Sequence, residues 1–194
     1  MISEGCAVSR RPPGPYPTTF INLIGALKIA LSSTASALLS DILAAQNNLA
    51  CTYEELGNIE SALATRQEVY SGYLRLKGES HADTCLVADN YAKSLGELQR
   101  FEEAKSVLRK MMPVVRALGE DHFQTIKMRW RYAEVLYRDP GATLDDIREA
   151  VTTLEELEPI ARRVLGGTHP DTRGIEHHLR TARAALCARE SGTS

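Results

Sequence analysis

From about Leu38 onward, apolar and small residues recur at helical spacing in blocks of roughly 40 residues. Asn48-Leu49-Ala50 returns as Asn90-Tyr91-Ala92 and again as Arg131-Tyr132-Ala133, 42 and then 41 residues on. Three residues past each small position stands Tyr53, Leu95 or Leu136, and a second Ala follows at Ala62, Ala104 and Ala150. The block ends repeat as well. Lys77-Gly78, Leu118-Gly119 and Leu165-Gly166 read as helix stops, since glycine just past a C-terminus relieves the last turn. Each is followed by a start of one shape, Ser80-His81-Ala82-Asp83, Asp121-His122-Phe123-Gln124 and Thr168-His169-Pro170-Asp171, with a Thr directly after (Thr84, Thr125, Thr172). In that pattern Ser80, Asp121 and Thr168 are the expected caps, and the fourth residue reaches back.

Each block therefore predicts two antiparallel helices. The expected spans are 38–56 and 60–77, 82–98 and 101–117, 122–138 and 143–165, then a last helix over 170–189. Ile175, Leu179, Ala182 and Leu186 share one face of that last helix, and Glu176, His177, Arg180 and Arg183 the other, as a cap on a stack requires. A two-helix unit of this size cannot bury its apolar stripe alone, so neighbouring units must cover it. The small Ala positions let helices approach, and Leu49 is expected in the core. The third block carries an insertion, Asp139-Pro140-Gly141-Ala142, after which Thr143 to Asp146 reads as a cap restarting the helix. This inserted turn either tolerates extra length or projects a contact for a partner.

The ends read differently. Residues 1–19 hold Arg10-Arg11-Pro12-Pro13-Gly14-Pro15-Tyr16-Pro17, polyproline-like and unable to build a core. This is the sequence of a disordered leader. Residues 20–37 are apolar from Phe20 to Leu31 and end in Ala35-Ser36-Ala37. They are either a degenerate helix capping the first face of the array or a targeting segment cleaved near Ala37. The repeat domain takes 38–189, divided as 38–78, 81–119, 122–166 and a capping helix 169–189, and 190–194 is a short disordered tail.

Composition narrows the function. A net charge of -2 over 194 residues gives no field for nucleic acid. No uncharged apolar run reaches the roughly 20 residues that span a bilayer. The four cysteines, Cys6, Cys51, Cys85 and Cys187, lie far apart with no C-x-x-C pair, which suits a reducing, cytoplasmic location. His81, His122 and His169 fall one unit apart, too far to share an ion, and His177-His178 face different sides of a helix, so no metal is expected. No phosphate-cradling glycine motif and no nucleophile–base pair on a shared face occurs. The expectation is a protein that is not an enzyme and carries no cofactor.

These residues resemble the tetratricopeptide repeat family, in the long-repeat form of kinesin light chains. The likeness rests on Asn47-Asn48-Leu49-Ala50, Leu56-Gly57, Phe101-Glu102-Glu103-Ala104-Lys105 and the two linkers Leu118 to His122 and Leu165 to Thr172. It implies an all-α superhelical stack of antiparallel helix pairs that acts as a scaffold or adaptor for protein binding. It implies further that the first helix of each pair lines a concave groove, with Asn48, Asn90 and Arg131 pointing in. Lys127 lies one turn before Arg131, and Trp130 and Glu134 flank it. Asn90, Lys127 and Arg131 match three positions of the carboxylate clamp of chaperone-binding relatives, while Asn47 and Cys51 depart from the other two. The expected partner is a protein or peptide, an extended and acidic segment held in the groove. A regulatory or ligand-sensing role stands as the alternative, as does a piece of a longer repeat protein.

Overall fold

The computed structural model describes the backbone of residues 18–192 and the side chains of residues 31–191. Among them, all regular structure is helical: α1 (Thr18–Glu55), α2 (Ile59–Lys77), α3 (Ala82–Glu97), α4 (Phe101–Ala117), α5 (Phe123–Arg138), α6 (Leu144–Leu165) and α7 (Pro170–Gly192). The expected leader lies outside the described residues, apart from the start of α1, and so do the last two residues of the tail. Residues 20–37 are helical within α1, and α7 continues to Gly192. The chain divides after Leu39 into two units. In the first, Leu31, Leu38 and Leu39 are exposed. The second contains the repeats. No helix among the described residues is long and apolar enough to cross a membrane.

The repeated linker has a physical reason. At each start the cap is the histidine, not the residue before it as expected. The Nδ1 atoms of His81, His122 and His169 accept the backbone N–H of Asp83, Gln124 and Asp171 at 3.1, 3.2 and 3.2 Å. An imidazole acceptor at this position reaches the N2 donor as an Asn or Asp side chain would. The threonine three residues on turns inward. Thr84, Thr125 and Thr172 are fully buried, and their hydroxyls donate to the carbonyls of Gly78, Val115 and Ala161 near the end of the preceding helix. Each linker is thereby fastened from both sides. Gly78 and Gly166 close their helices at φ 81° and 96°, where a side chain would be strained.

The six alanines of the repeat, Ala50, Ala62, Ala92, Ala104, Ala133 and Ala150, are all completely buried. Around them lie two apolar clusters. One gathers Leu95, Leu108 and Met111 between α2, α3, α4 and α5, and the other Ile126, Leu136, Leu154 and Ile175 between α5, α6 and α7. From α2 to α7 consecutive helices pack in order, and α3 also touches α5, as α5 touches α7. No contact of that extent joins the even-numbered helices among the described residues. The odd-numbered layer is therefore the closer-spaced, inner wall of the stack.

Leu49 departs from expectation: it is 45% exposed. Its repeat equivalents are covered by the second helix of the preceding pair. Tyr91 stacks on Tyr70 of α2, and Tyr132 meets Arg109 of α4. No such pair precedes α1 among the described residues, so the same pattern leaves Leu49 in solvent. The inserted turn is tied to its neighbours, while Pro140 and Gly141 stay exposed. Asp139 accepts from buried Lys105 at 2.6 Å, and Arg189 donates to the carbonyls of Ala142 and Pro140. The restart at Thr143 is a complete capping box with Asp146.

Candidate partner-binding face

Lys127, Arg131, Glu134 and Arg138 follow one another at helical intervals on the inner face of α5. Lys127 reaches Asp171 of α7 at 3.6 Å, and its ammonium lies 5.9 Å from the ring of Phe123 and 5.3 Å from that of Trp130. Both distances place it for a cation–π contact. Trp130 rests against Gly174 of α7 and meets His178 edge-on at 5.4 Å. Its Nε1–H is buried with no acceptor among the described residues.

Arg131 is held between two carboxylates. Its Nε faces Asp89 of α3 at 3.4 Å and its Nη1 donates to Glu134 at 2.5 Å. Glu134 also accepts from Arg138 at 2.7 Å. Both acids are buried, at 4% and 7% exposure for Asp89 and Glu134. Burial alone would push Glu134 up, but Arg131, His178 and Arg138 together hold it below the usual carboxylate value. Burial works against the charge on Arg131, and Asp89 and Glu134 more than restore it. This network engages Nε and Nη1 of Arg131 in bonds to Asp89 and Glu134.

Asn90 is likewise engaged. Its Nδ2 donates to Asn47 Oδ1 of α1 at 3.2 Å, and its carbonyl accepts from Arg66. Arg66 and Lys93 both hold Glu54 across α1, α2 and α3. Asn48 is exposed and lines a cavity of about 380 Å³ with Asp41, Ala44, Asp83 and Leu86.

The structure thus brings Lys127, Trp130, Arg131 and Glu134 into one cluster, and ties Asn90 into a second beside α1. Asn48, Leu86, Phe123 and Arg138 are exposed on this wall, with Lys127 half-buried. Sequence reasoning missed Asp89, Asp171, Gly174 and His178, which complete the α5 cluster from neighbouring helices. A signal for one existed: Asn47, Asp89 and Trp130 occupy the same repeat position, one before the column of Asn48, Asn90 and Arg131.

Residues 41–117 match the family model described as tetratricopeptide repeat. Two crystal structures from Podosopora anserina, of nearly identical TPR-like repeats ascribed to a kinesin light chain, superpose on the fold. The first has a TM-score of 0.61 at 20% identity and covers 78% of this chain and 69% of its own. The second has a TM-score of 0.59 at 20% identity, with 78% and 70% covered. At that identity the likeness is one of fold. No curated protein matches the sequence.

Proposed function

We propose that this chain, whose residues 41–117 match the tetratricopeptide repeat family model, is a non-catalytic interaction module, a scaffold or adaptor that holds an extended segment of another protein along its inner wall. The observation that carries the reading is the division of labour on that wall. Arg131 and Asn90 are spent on bonds between helices, and Glu134 on Arg131 and Arg138 of its own helix. Asn48, Leu86, Phe123 and Lys127 retain exposed surface on α1, α3 and α5. An amide, two apolar side chains and an ammonium on successive helices suit a backbone bond, two side-chain contacts and one carboxylate of an extended, acidic peptide.

The chain has one tryptophan, and it lies under Lys127, so its fluorescence reports on the site directly. An acidic peptide that binds there should change the Trp130 emission with roughly micromolar affinity, after ordering costs. Asn48→Ala with Lys127→Ala should weaken the binding at least tenfold, since a bond to a charged group is of that order. Unaltered affinity in the double variant would place the peptide elsewhere.

A further inference from the structure

The opposite face of α5 carries a second feature. Arg129 and Tyr132 lie about half a turn around the helix from Lys127, Arg131 and Glu134. They form the floor of a cavity of about 500 Å³ between α4 and α6. One wall is the stripe Arg109, Met112, Pro113 and Arg116 of α4, one residue per turn or nearly so. The other comes from α6, with Glu149 and Thr153. The volume is that of a small-molecule site.

The preceding repeat shows what is unusual here. By the same register, Arg109, Met112 and Arg116 stand where α2 has Gln67, Tyr70 and Leu74, and Arg129 stands where α3 has Ala88. In that earlier interface Tyr70 and Tyr91 stack at 5.7 Å and fill the space. In the later one a Met replaces the first ring, and three arginines appear where the earlier has no charge.

Those arginines have unused capacity. Arg109 donates to the Tyr132 hydroxyl at 3.3 Å, and its guanidinium lies 6.0 Å from that ring. Among the described residues neither Arg109 nor Arg116 forms an ion pair within 4.0 Å, although Glu102 and Glu149 act on Arg109 at longer range, and both arginines are exposed. Arg129 is buried, at 7% exposure, and donates through Nη1 and Nη2 to Glu120 and Glu156 at 2.6 Å each. Its Nε–H is buried and has no acceptor. A buried donor without a partner is costly, and an oxyanion is what a guanidinium satisfies best. Glu149 is the one acid among the lining residues; Glu120 and Glu156 outside the lining offset Arg129, so the positive charge offered to the cavity is that of Arg109 and Arg116.

We propose that the cavity between α4, α5 and α6 binds a small organic anion, its acid group taken by Arg109 and Arg116 and its apolar body lying against Met112 and Tyr132. The site is independent of the inner wall, and its test does not involve the peptide.

Benzoate, phenyl phosphate, inorganic phosphate and neutral benzamide are titrated into the full chain, with calorimetry for affinity and the Met112 methyl resonance as the local probe. Benzoate or phenyl phosphate should bind saturably at one site and shift that methyl signal. The tighter of the two identifies the acid group. Arg109→Gln with Arg116→Gln, both at exposed positions, should weaken binding at least tenfold with an unchanged helical spectrum. Four results would overturn the proposal: neither aryl anion saturating, benzamide shifting Met112 equally, inorganic phosphate binding as tightly as phenyl phosphate, or the double variant retaining full affinity.

Discussion

Gly174 on α7 lies so close to the indole of Trp130 on α5 that a Cβ there would stand 2.5 Å from Cη2 and 2.6 Å from Cζ2. In a free helix Gly→Ala gains about 1 kcal/mol. Here Lys127 and His178 flank the ring on other sides and restrict its movement. Overpacking of this kind costs roughly 1–3 kcal/mol, so Gly174→Ala should lower the melting temperature by a few degrees. In a Trp130→Leu background the clash is gone, and the same substitution should raise it. Thermal unfolding of the four proteins, followed by circular dichroism, checks the change of sign.

Leu43 and Leu49 test which side of α1 is covered. Leu43 is 5% exposed and packs on Gly72 of α2, so Leu43→Ala should cost about 2–5 kcal/mol. Leu49→Ala, on the open side, should stay within roughly 0.5 kcal/mol. Urea midpoints measured side by side would separate them, and equal losses would contradict the exposure of Leu49.

That contrast marks where the sequence pattern stops being informative. Helix ends were legible because they depend on local chemistry: Gly78 and Gly166 stop helices, and Thr143 and Asp146 restart one. The buried alanines were legible because they recur. Leu49 has the same pattern as Tyr91 and Tyr132, but burial depends on a neighbour that the pattern does not contain. The histidine caps were hidden because His81, His122 and His169 sit beside Ser, Asp and Thr, which are commoner caps. At the site, the spacing of Lys127, Arg131 and Glu134 placed them on one face. It could not reveal that Asp89 and Asp171 arrive from other helices, because that depends on how the layers register.

Arg131 shows the consequence. The sequence-based expectation is that Arg131→Ala weakens binding and spares helicity. The geometry predicts otherwise, because truncation leaves Asp89 and Glu134 buried without the guanidinium between them. Removing one partner of a buried ionic network costs about 3–5 kcal/mol. Urea unfolding should show a loss of that order for Arg131→Ala, while half-buried Lys127→Ala should lose less than about 1 kcal/mol. Matching stabilities for the two variants would refute the structural role assigned to Arg131.

His178 makes the docking of α7 on α5 sensitive to acid. Its Nδ1 lies 2.9 Å from the Tyr137 hydroxyl, and Trp130 meets its ring. Burial pushes its pKa below 6.5; Glu134 opposes this, while His177, Arg131 and Arg138 add to it. Tyr137 is itself pushed up to about 12 by burial and by Glu134, so it stays neutral throughout this range. A depressed pKa means that the unfolded chain takes the proton first. The stabilising contribution is therefore complete above 6.5, declines as the pH falls below that value, and is gone once the pH passes the lower folded value. Glu134 acts later, because its own loss begins only below 4.5. His178→Gln keeps a hydrogen-bonding partner for Tyr137 but cannot titrate. Unfolding free energies measured from about pH 8 to about pH 5 should fall less steeply for this variant than for the parent. Because His177 acts on His178, both proteins carry His177→Gln; the remaining histidines are common to the two, so parallel slopes would show that His178 is not the group responsible.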